Sequence, residues 1–507
     1  MITELPLPRS GPGSLDSGAM RTCTLAWVAA CALMLAGAAA ARERPNILFI
    51  TVDDLNTDLG AYGHPIAQSP AIDRLAAEGM RFDAAYAQYP VCSPSRSSFL
   101  TGLYPQQTGI ITNGPHFREF VPDIVTLPQF FAQHGYFTAR AGKMFHYNVP
   151  GQIGTDGLDD PQSWNERRNP KGVDVSHTAR VNTINPATPV GATLTWLSVA
   201  GDGSRHTDAL VTDAAIDLLE THHPQRSGKP LFLAVGYFRP HAPFIAPSGF
   251  FELYPPESIK RPADFMADRA DIPTAALADR PRQLRMTEAE KIAAIRAYYA
   301  SITFVDAQID RLLRALEAAA LRDSTIIVLL SDHGFHLGAH GLWQKGDLFE
   351  GSVRVPLILS VPEGYGGGFV RGGSSDSLAE LVDLYPTLAE LAGLGRPAHV
   401  AGVSLVPVLR NPAARVRESA YTLALSRAGL TRPEWQHKDA MGESIRTGRY
   451  RYTIWDNENL GAELYDYWSD PEEITNLADH PAHLATRERL AEELARRRSR
   501  ASSGLAR

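Results

Sequence analysis

Two apolar runs, each stopping on charged or titratable side chains, constrain this chain more than any other feature. Asn46–Val52 lies between Pro45 and the pair Asp53-Asp54, and Thr325–Leu330 runs into Ser331-Asp332-His333-Gly334. Six or seven residues with little polar alternation predict a strand buried on both faces, which means a parallel sheet covered by helices above and below. Leu231–Tyr237 reads the same way. Helical signals fall between these runs. Residues 70–79 have Pro70 at the start and Gly79 just past the end. From Glu288 to about Leu321, Ile292, Ile295, Tyr299, Ile302, Val305, Ile309, Leu312 and Leu316 recur at three- and four-residue steps. Strands alternating with helices predict an α/β fold with a large, mostly parallel sheet sandwiched by helices.

The pattern changes near residue 416. Short strand-like pieces at 443–447, 450–455 and 463–467 precede a charged helix at 482–498, predicting a smaller C-terminal antiparallel sheet plus helix. Residues 364–373 read as a Gly-rich surface loop, without the strand–Gly–helix pattern of a phosphate cradle. At the N-terminus, Arg21 precedes the apolar stretch 25–35, and small residues fill 36–41. This is the layout of an export signal, too short to span a bilayer as an ordinary helix. The expectation is a periplasmic or secreted protein with no stable membrane span, started at Met20 and cleaved near Ala41 or Arg42. The faint lipoprotein pattern at 28–31 is set aside because apolar residues continue beyond Cys31.

Of three cysteines, Cys23 and Cys31 leave with the signal and Cys92 stays alone. A lone cysteine can be a small buried hydrophobe, but Ser93, Ser95 and Arg96 are polar neighbours. A net charge of −7 gives no sign of a nucleic-acid partner. The acids at the strand ends sit where open parallel sheets bind ligands. Adjacent carboxylates there repel unless a cation neutralises them; the alternative is that each caps the next turn.

The motif Cys92-Ser93-Pro94-Ser95-Arg96, followed by Thr101-Gly102, resembles the signature of the sulfatase family. The resemblance spans the chain beyond the signal. It implies an alkaline phosphatase-like fold, with 1–41 as extension and signal, 42–415 as the catalytic domain and 416–507 as a C-terminal α+β subdomain. It also implies that a formylglycine-generating maturation enzyme converts Cys92 to Cα-formylglycine (3-oxoalanine). The hydrated aldehyde carries two hydroxyls: one can attack sulfur, and the other can then lose its proton and expel sulfate. A serine would remain a stable sulfate ester. An attacking hydroxyl needs a lowered pKa, which a divalent cation provides, and a helix starting just after Cys92 favours developing negative charge.

Further elements match in order. Gly142-Lys143-Met144-Phe145-His146 implies Lys143 on the sulfate and His146 as base. Arg239-Pro240-His241 implies His241 on sulfate and leaving oxygen. Gly341-Leu342-Trp343-Gln344-Lys345 implies Lys345 as sulfate ligand and proton donor, and Arg96 orients the site. One divalent cation, Ca²⁺ with Mg²⁺ as the alternative, is expected on Asp53, Asp54, Asp332, His333 and residue 92.

The Asp332-His333 form is that of iduronate-2-sulfatases, and Met441–Thr447, Tyr450–Thr453 and Glu463–Tyr465 extend the resemblance into the subdomain. It implies removal of a 2-O-sulfate from iduronate or uronate residues of glycosaminoglycan fragments. Arg239 is then the candidate for the substrate carboxylate, against the alternative of a solvent-facing loop charge. Three other readings stand beside this one: a sulfatase of another sulfated glycan or aryl sulfate, a phosphonate or phosphodiester hydrolase of the same fold, and a non-catalytic glycan-binding protein. The chain lacks the structural cysteines of the animal enzymes.

Overall fold

In the computed structural model, which describes residues 1, 4, 6–11, 44–260, 268–430, 436–437 and 439–503, the first apolar run is strand β1 (Asn46–Val52), buried throughout. The export signal expected between Arg21 and Ala41, with Cys23 and Cys31, lies outside the described residues. Among the described residues no helix is long and apolar enough to cross a membrane.

β1 lies inside an eight-stranded sheet. Its partners on either side are the other two apolar runs, β5 (Leu231–Tyr237) and β6 (Thr325–Ser331), both parallel to it. β3 (Phe137–Gly142) pairs in parallel with β5, and β4 (Glu166–Arg168) with β3. Beyond β6 the sheet turns mixed: β7 (Leu357–Ser360) is antiparallel to β6, β2 (Met80–Phe82) is antiparallel to β7, and β8 (Gly373–Ser375) ends the sheet. The Gly-rich stretch therefore leads into an edge strand.

Alternate residues of β1 feed opposite layers. Leu48, Ile50 and Val52 join the core with α1 (Pro70–Glu78), α4 (Thr207–Thr221) and α5 (Glu288–Ala318). Ile47 and Phe49 join the core with α2 (Cys92–Thr101), α3 (Leu127–Gln133) and α6 (Leu384–Leu391). Burial on both faces is why these strands read as unbroken apolar runs. Helix α5 starts at a capping box, Thr287 accepting from the Glu290 amide. It stops three residues before Leu321, and Ala320 is left-handed at φ 54°.

The small sheet has four antiparallel strands in the order β9 (Ser419–Leu425), β10 (Met441–Thr447), β11 (Tyr450–Trp455) and β12 (Ala462–Asp466). The first of these carried no separate strand signal. Helix α7 (Leu484–Ser502) covers it, burying Leu490 and Leu494 with Tyr421, Ile445 and Tyr452. Pro45–Arg507 form one compact unit.

Register decides where the chemistry goes. Val52 lies opposite Ser331 and Tyr237, and Gly142 lies opposite Gly236. The residues that follow, Asp53, Asp332, Phe238 and Lys143, thus leave the sheet at one edge, the carboxyl ends of four adjacent parallel strands.

Candidate active site

Cys92 is the first residue of α2, and every residue of that helix is buried. The N-terminal turn points its side chain at the strand ends. Cys92 Sγ lies 3.3 Å from His333 Nε2, 3.3 Å from Lys345 Nζ and 4.0 Å from Asp54 Oδ1. Burial pushes the thiol up, but Lys345, Lys143 and His333 outweigh it and hold Cys92 well below the usual thiol range.

One turn on, Arg96 ties the site together. Its fully buried guanidinium donates from Nε to Asp332 (2.8 Å), from Nη2 to Asp53 (3.2 Å), and from Nη1 to the carbonyls of Lys143 and Met144 (2.9 and 3.0 Å). Ser95 Oγ donates to the Asp332 carbonyl. Arg96 thus touches the acids and the Lys143 turn. Because it compensates two buried carboxylates, Arg96→Ala in chelator-treated protein is expected to lose about 3–5 kcal/mol of unfolding free energy. Denaturant melts check this; a loss indistinguishable from that of an exposed-arginine variant would contradict it.

Each strand end is shaped to deliver its side chain. Asp54 is left-handed at φ 63°, an uncommon conformation for a residue other than glycine. It is held by the next amide, Leu55 donating to Ser331 Oγ at 2.9 Å, and by Tyr298 donating to the Asp54 carbonyl at 2.7 Å. Lys143 crosses directly over β5: its amide donates to the Gly236 carbonyl (2.8 Å), and a Cβ on Gly236 would fall 1.8 Å from the Lys143 carbonyl oxygen. That passage requires glycine. Lys143 Nζ reaches Asp53 Oδ2 at 2.5 Å, and Lys345 Nζ pairs with Asp54.

The acids fit a cation. Ligand atoms of Asp53, Cys92, Asp332 and His333 lie within 4.8 Å of one another, and so do those of Asp53, Asp54, Cys92 and His241. All are buried. Burial pushes Asp332 up to about 6, against the pull of Arg96 and His333, so the protein's own positive charge does not fully compensate this carboxylate. His333 Nδ1 donates to the Gly334 carbonyl at 2.9 Å in the arrangement that leaves Nε2 facing the cluster. Three carboxylates suit a hard divalent ion, Ca²⁺ or Mg²⁺, with the imidazole the unusual member.

His241 is fixed in the same manner, Nδ1 against the Ala242 carbonyl at 2.7 Å. His146 is buried with Nδ1 unbonded, and burial lowers its pKa, leaving a neutral ring able to accept a proton.

A buried sulfur at a helix N-terminus, three carboxylates, two lysines and three histidines can hold a cation and an anionic ester together. The family model described as Sulfatase matches residues 45–394, and the one described as N-sulphoglucosamine sulphohydrolase, C-terminal, matches 338–500. The chain belongs to the sulfatase family. Its reaction class is sulfate-ester hydrolysis, in a family that uses formylglycine and a divalent metal. Iduronate 2-sulfatase of Homo sapiens is 32% identical, the match covering 94% of this chain and 97% of that one. Among solved structures, the phosphonate monoester hydrolase of Agrobacterium radiobacter superposes with a TM-score of 0.74 at 26% identity, covering 90% of this chain and 96% of that one. A 2-O GAG sulfatase superposes at 0.71 with 24% identity, covering 91% and 93%, and shares the fold.

In this sulfatase Arg239, expected to meet a substrate carboxylate, is buried and already paired. Its side chain is 2% exposed, Nη2 is paired with Asp174 at 3.2 Å, and Nη1 donates to the His241 carbonyl at 2.9 Å. Asp208 accepts the amides of Phe238 and Arg239 at 2.7 and 3.1 Å. Arg239 is thus no solvent-facing charge: it braces the turn that carries His241, and its Nε is buried without a hydrogen-bond partner among the described residues. The sulfatase site also draws on residues that sequence reasoning passed over. Tyr298 adjoins Tyr299 in α5 but had no place in the apolar series that marked the helix. Asp174 and Asp208 lie in segments without a motif.

Proposed function

We propose that the protein removes the 2-O-sulfate of a terminal iduronate, or a close uronate analogue, from glycosaminoglycan fragments. The observation that carries this reading is the set of ligand and proton-transfer groups gathered around Cys92 in a chain 32% identical, over nearly its whole length, to an iduronate 2-sulfatase. Export and conversion of Cys92 by a maturation enzyme belong to the same proposal.

The cation, Ca²⁺ ahead of Mg²⁺, would be held by Asp53, Asp54, Asp332, His333 and residue 92, and would supply positive charge that lowers the pKa of a hydroxyl on residue 92. Formylglycine at residue 92 would supply two hydroxyls on one carbon, one able to attack sulfur and one able to release sulfate. The rest is done by the chain's own side chains. Lys143, Lys345 and His241 surround residue 92 and carry the charge that receives a sulfate. Lys345 Nζ, 3.3 Å from Cys92 Sγ, is placed to protonate the leaving alcohol. Neutral His146 takes the proton of the second hydroxyl. Arg96 holds Asp53 and Asp332 in register.

A panel of defined sulfated disaccharides tests the substrate. Uronate 2-sulfates should exceed glucosamine 6-sulfates in kcat/KM by about a hundredfold or more. Turnover confined to glucosamine 6-sulfates or simple aryl sulfates would remove the uronate assignment and leave the sulfatase chemistry standing. The superposition on a phosphonate monoester hydrolase keeps one second reading in view. An aryl phosphonate turned over faster than the matching aryl sulfate would favour it.

A further inference from the structure

With Arg239 committed to Asp174, a uronate carboxylate needs another cation, and two arginines from distant segments stand beside Lys345. Arg427 follows Ser426, just past the end of β9. Ser426 is pinned by its amide to the Ala440 carbonyl and by Oγ to the Ala275 carbonyl, both at 2.8 Å. From there the Arg427 guanidinium lies against Gly346, the residue after Lys345. A Cβ on Gly346 would fall 2.5 Å from Arg427 Nε and 2.9 Å from its Cζ, and Gly346 is left-handed at φ 111°. Arg280 is tied to the same tripeptide through Gln283. Its carbonyl accepts the Gln283 amide at 2.9 Å, and Gln283 Nε2 donates to Oε1 of Gln344, the residue before Lys345, at 2.7 Å.

The buried arginines of this fold have carboxylate partners: Arg96 has Asp53 and Asp332, Arg140 has Asp159, Arg239 has Asp174, and Arg451 has Glu350 and Glu473. Among the described residues Arg280 and Arg427 have none. Arg280 donates to the Ala192 carbonyl, and among the described residues no hydrogen bond or ion pair engages the Arg427 guanidinium. Burial, then the charge of Arg427, lowers Arg280 to about 10, with Asp54 pulling the other way. Burial lowers Arg427 as well, and the charges that oppose it are Tyr89, Asp347 and Cys92. Both guanidiniums therefore sense the catalytic centre, and they repel each other. Two half-buried like charges without a counter-ion destabilise a fold. An anion bound between them relieves that cost.

We propose that Arg280 and Arg427 form a dicationic subsite beside the sulfate pocket that binds a second anionic group of the substrate, the carboxylate of the sulfated uronate. This rests on the uronate reading above and assigns its specificity to these two residues. Guanidinium groups suit the task because they pair a carboxylate in bidentate fashion. The C-terminal subdomain then contributes directly to substrate choice through Arg427.

The test compares a 2-O-sulfated uronate disaccharide with its uronate methyl ester, in wild type, Arg280→Gln and Arg427→Gln. Wild type should prefer the free acid by about tenfold to a hundredfold in kcat/KM, and each variant should cut that preference about tenfold, mostly through KM. Arg427→Lys should retain part of it. Because both substrates are measured on one preparation, any unfolded fraction cancels in the ratio. Equal wild-type turnover of acid and ester would overturn the subsite, as would equal losses on both in the variants. If uronate sulfates are not substrates at all, the uronate reading fails separately. The same ratio is then taken between glucosamine N,6-disulfate and glucosamine 6-sulfate. A preference for the disulfate that falls in the variants upholds an anion subsite for sulfate in place of carboxylate, and a flat ratio overturns it.

Discussion

Cys92→Ala is expected to lower kcat/KM for every sulfate ester by about four orders of magnitude or more, because it removes the group proposed to become the nucleophile. The fold should survive. Cys92 is small, and the structural work at the start of α2 is done by Ser95 and Arg96, which hold Asp332 and Asp53. Thermal melts of the variant should therefore stay close to wild type. Cys92→Ser separates nucleophilic attack from release: the serine oxygen can displace the alcohol from sulfur, but with a single hydroxyl it cannot expel sulfate. The intact variant should gain the mass of one sulfuryl group after exposure to substrate and then stop. Peptide mass spectrometry of active wild type should show loss of sulfur at residue 92. Full activity in Cys92→Ala would sink the mechanism.

Removing the cation, or its central ligand, should be nearly as costly. Asp53 belongs to both groups of converging ligand atoms, and it pairs with both Lys143 and Arg96. Chelation of the matured enzyme should reduce kcat by about a thousandfold or more, with recovery on adding Ca²⁺. Asp53→Asn should match that loss without recovery. Elemental analysis should find about one divalent ion per chain in wild type and much less in Asp53→Asn. Asp53→Asn also strips a carboxylate from two buried cations, so its chelated form should be about 3 kcal/mol less stable than chelated wild type. A fully active preparation containing no metal would refute the assignment.

The parts of this site that were legible in the chain share one property: their signal is local. A strand buried on both faces must be apolar along its length, so β1, β5 and β6 announced themselves, and an acid at the last turn of such a strand stands out. The spacing Cys92-x-Pro94-x-Arg96 places Cys92 and Arg96 one turn apart on a helix. The helix was expected to begin just after Cys92, and it begins at Cys92 itself. Strand β9 was less visible because its partner β10 and helix α7, rather than its own sequence, bury it.

What the sequence by itself determined was the fold class and the acids at the strand ends, each legible from burial or spacing within a window of a few residues. Cys92 as the reacting residue is what the resemblance to the sulfatase family implies. What only the tertiary structure decided was the pairing of charges. Asp54 and Asp332, joined by a hydrogen bond from the Asp54 amide, are 278 positions apart. Arg239 sits beside His241 in the chain yet spends its guanidinium on Asp174. Arg280 and Arg427 come from irregular segments with no motif, yet Arg427 packs on Gly346 and Arg280 is linked through Gln283 to Gln344, the two neighbours of Lys345. A charge acts through distance and dielectric, both set by which segments the sheet register brings together. Nothing in the residues flanking an arginine says whether a carboxylate waits across the fold or whether the position is left for the substrate.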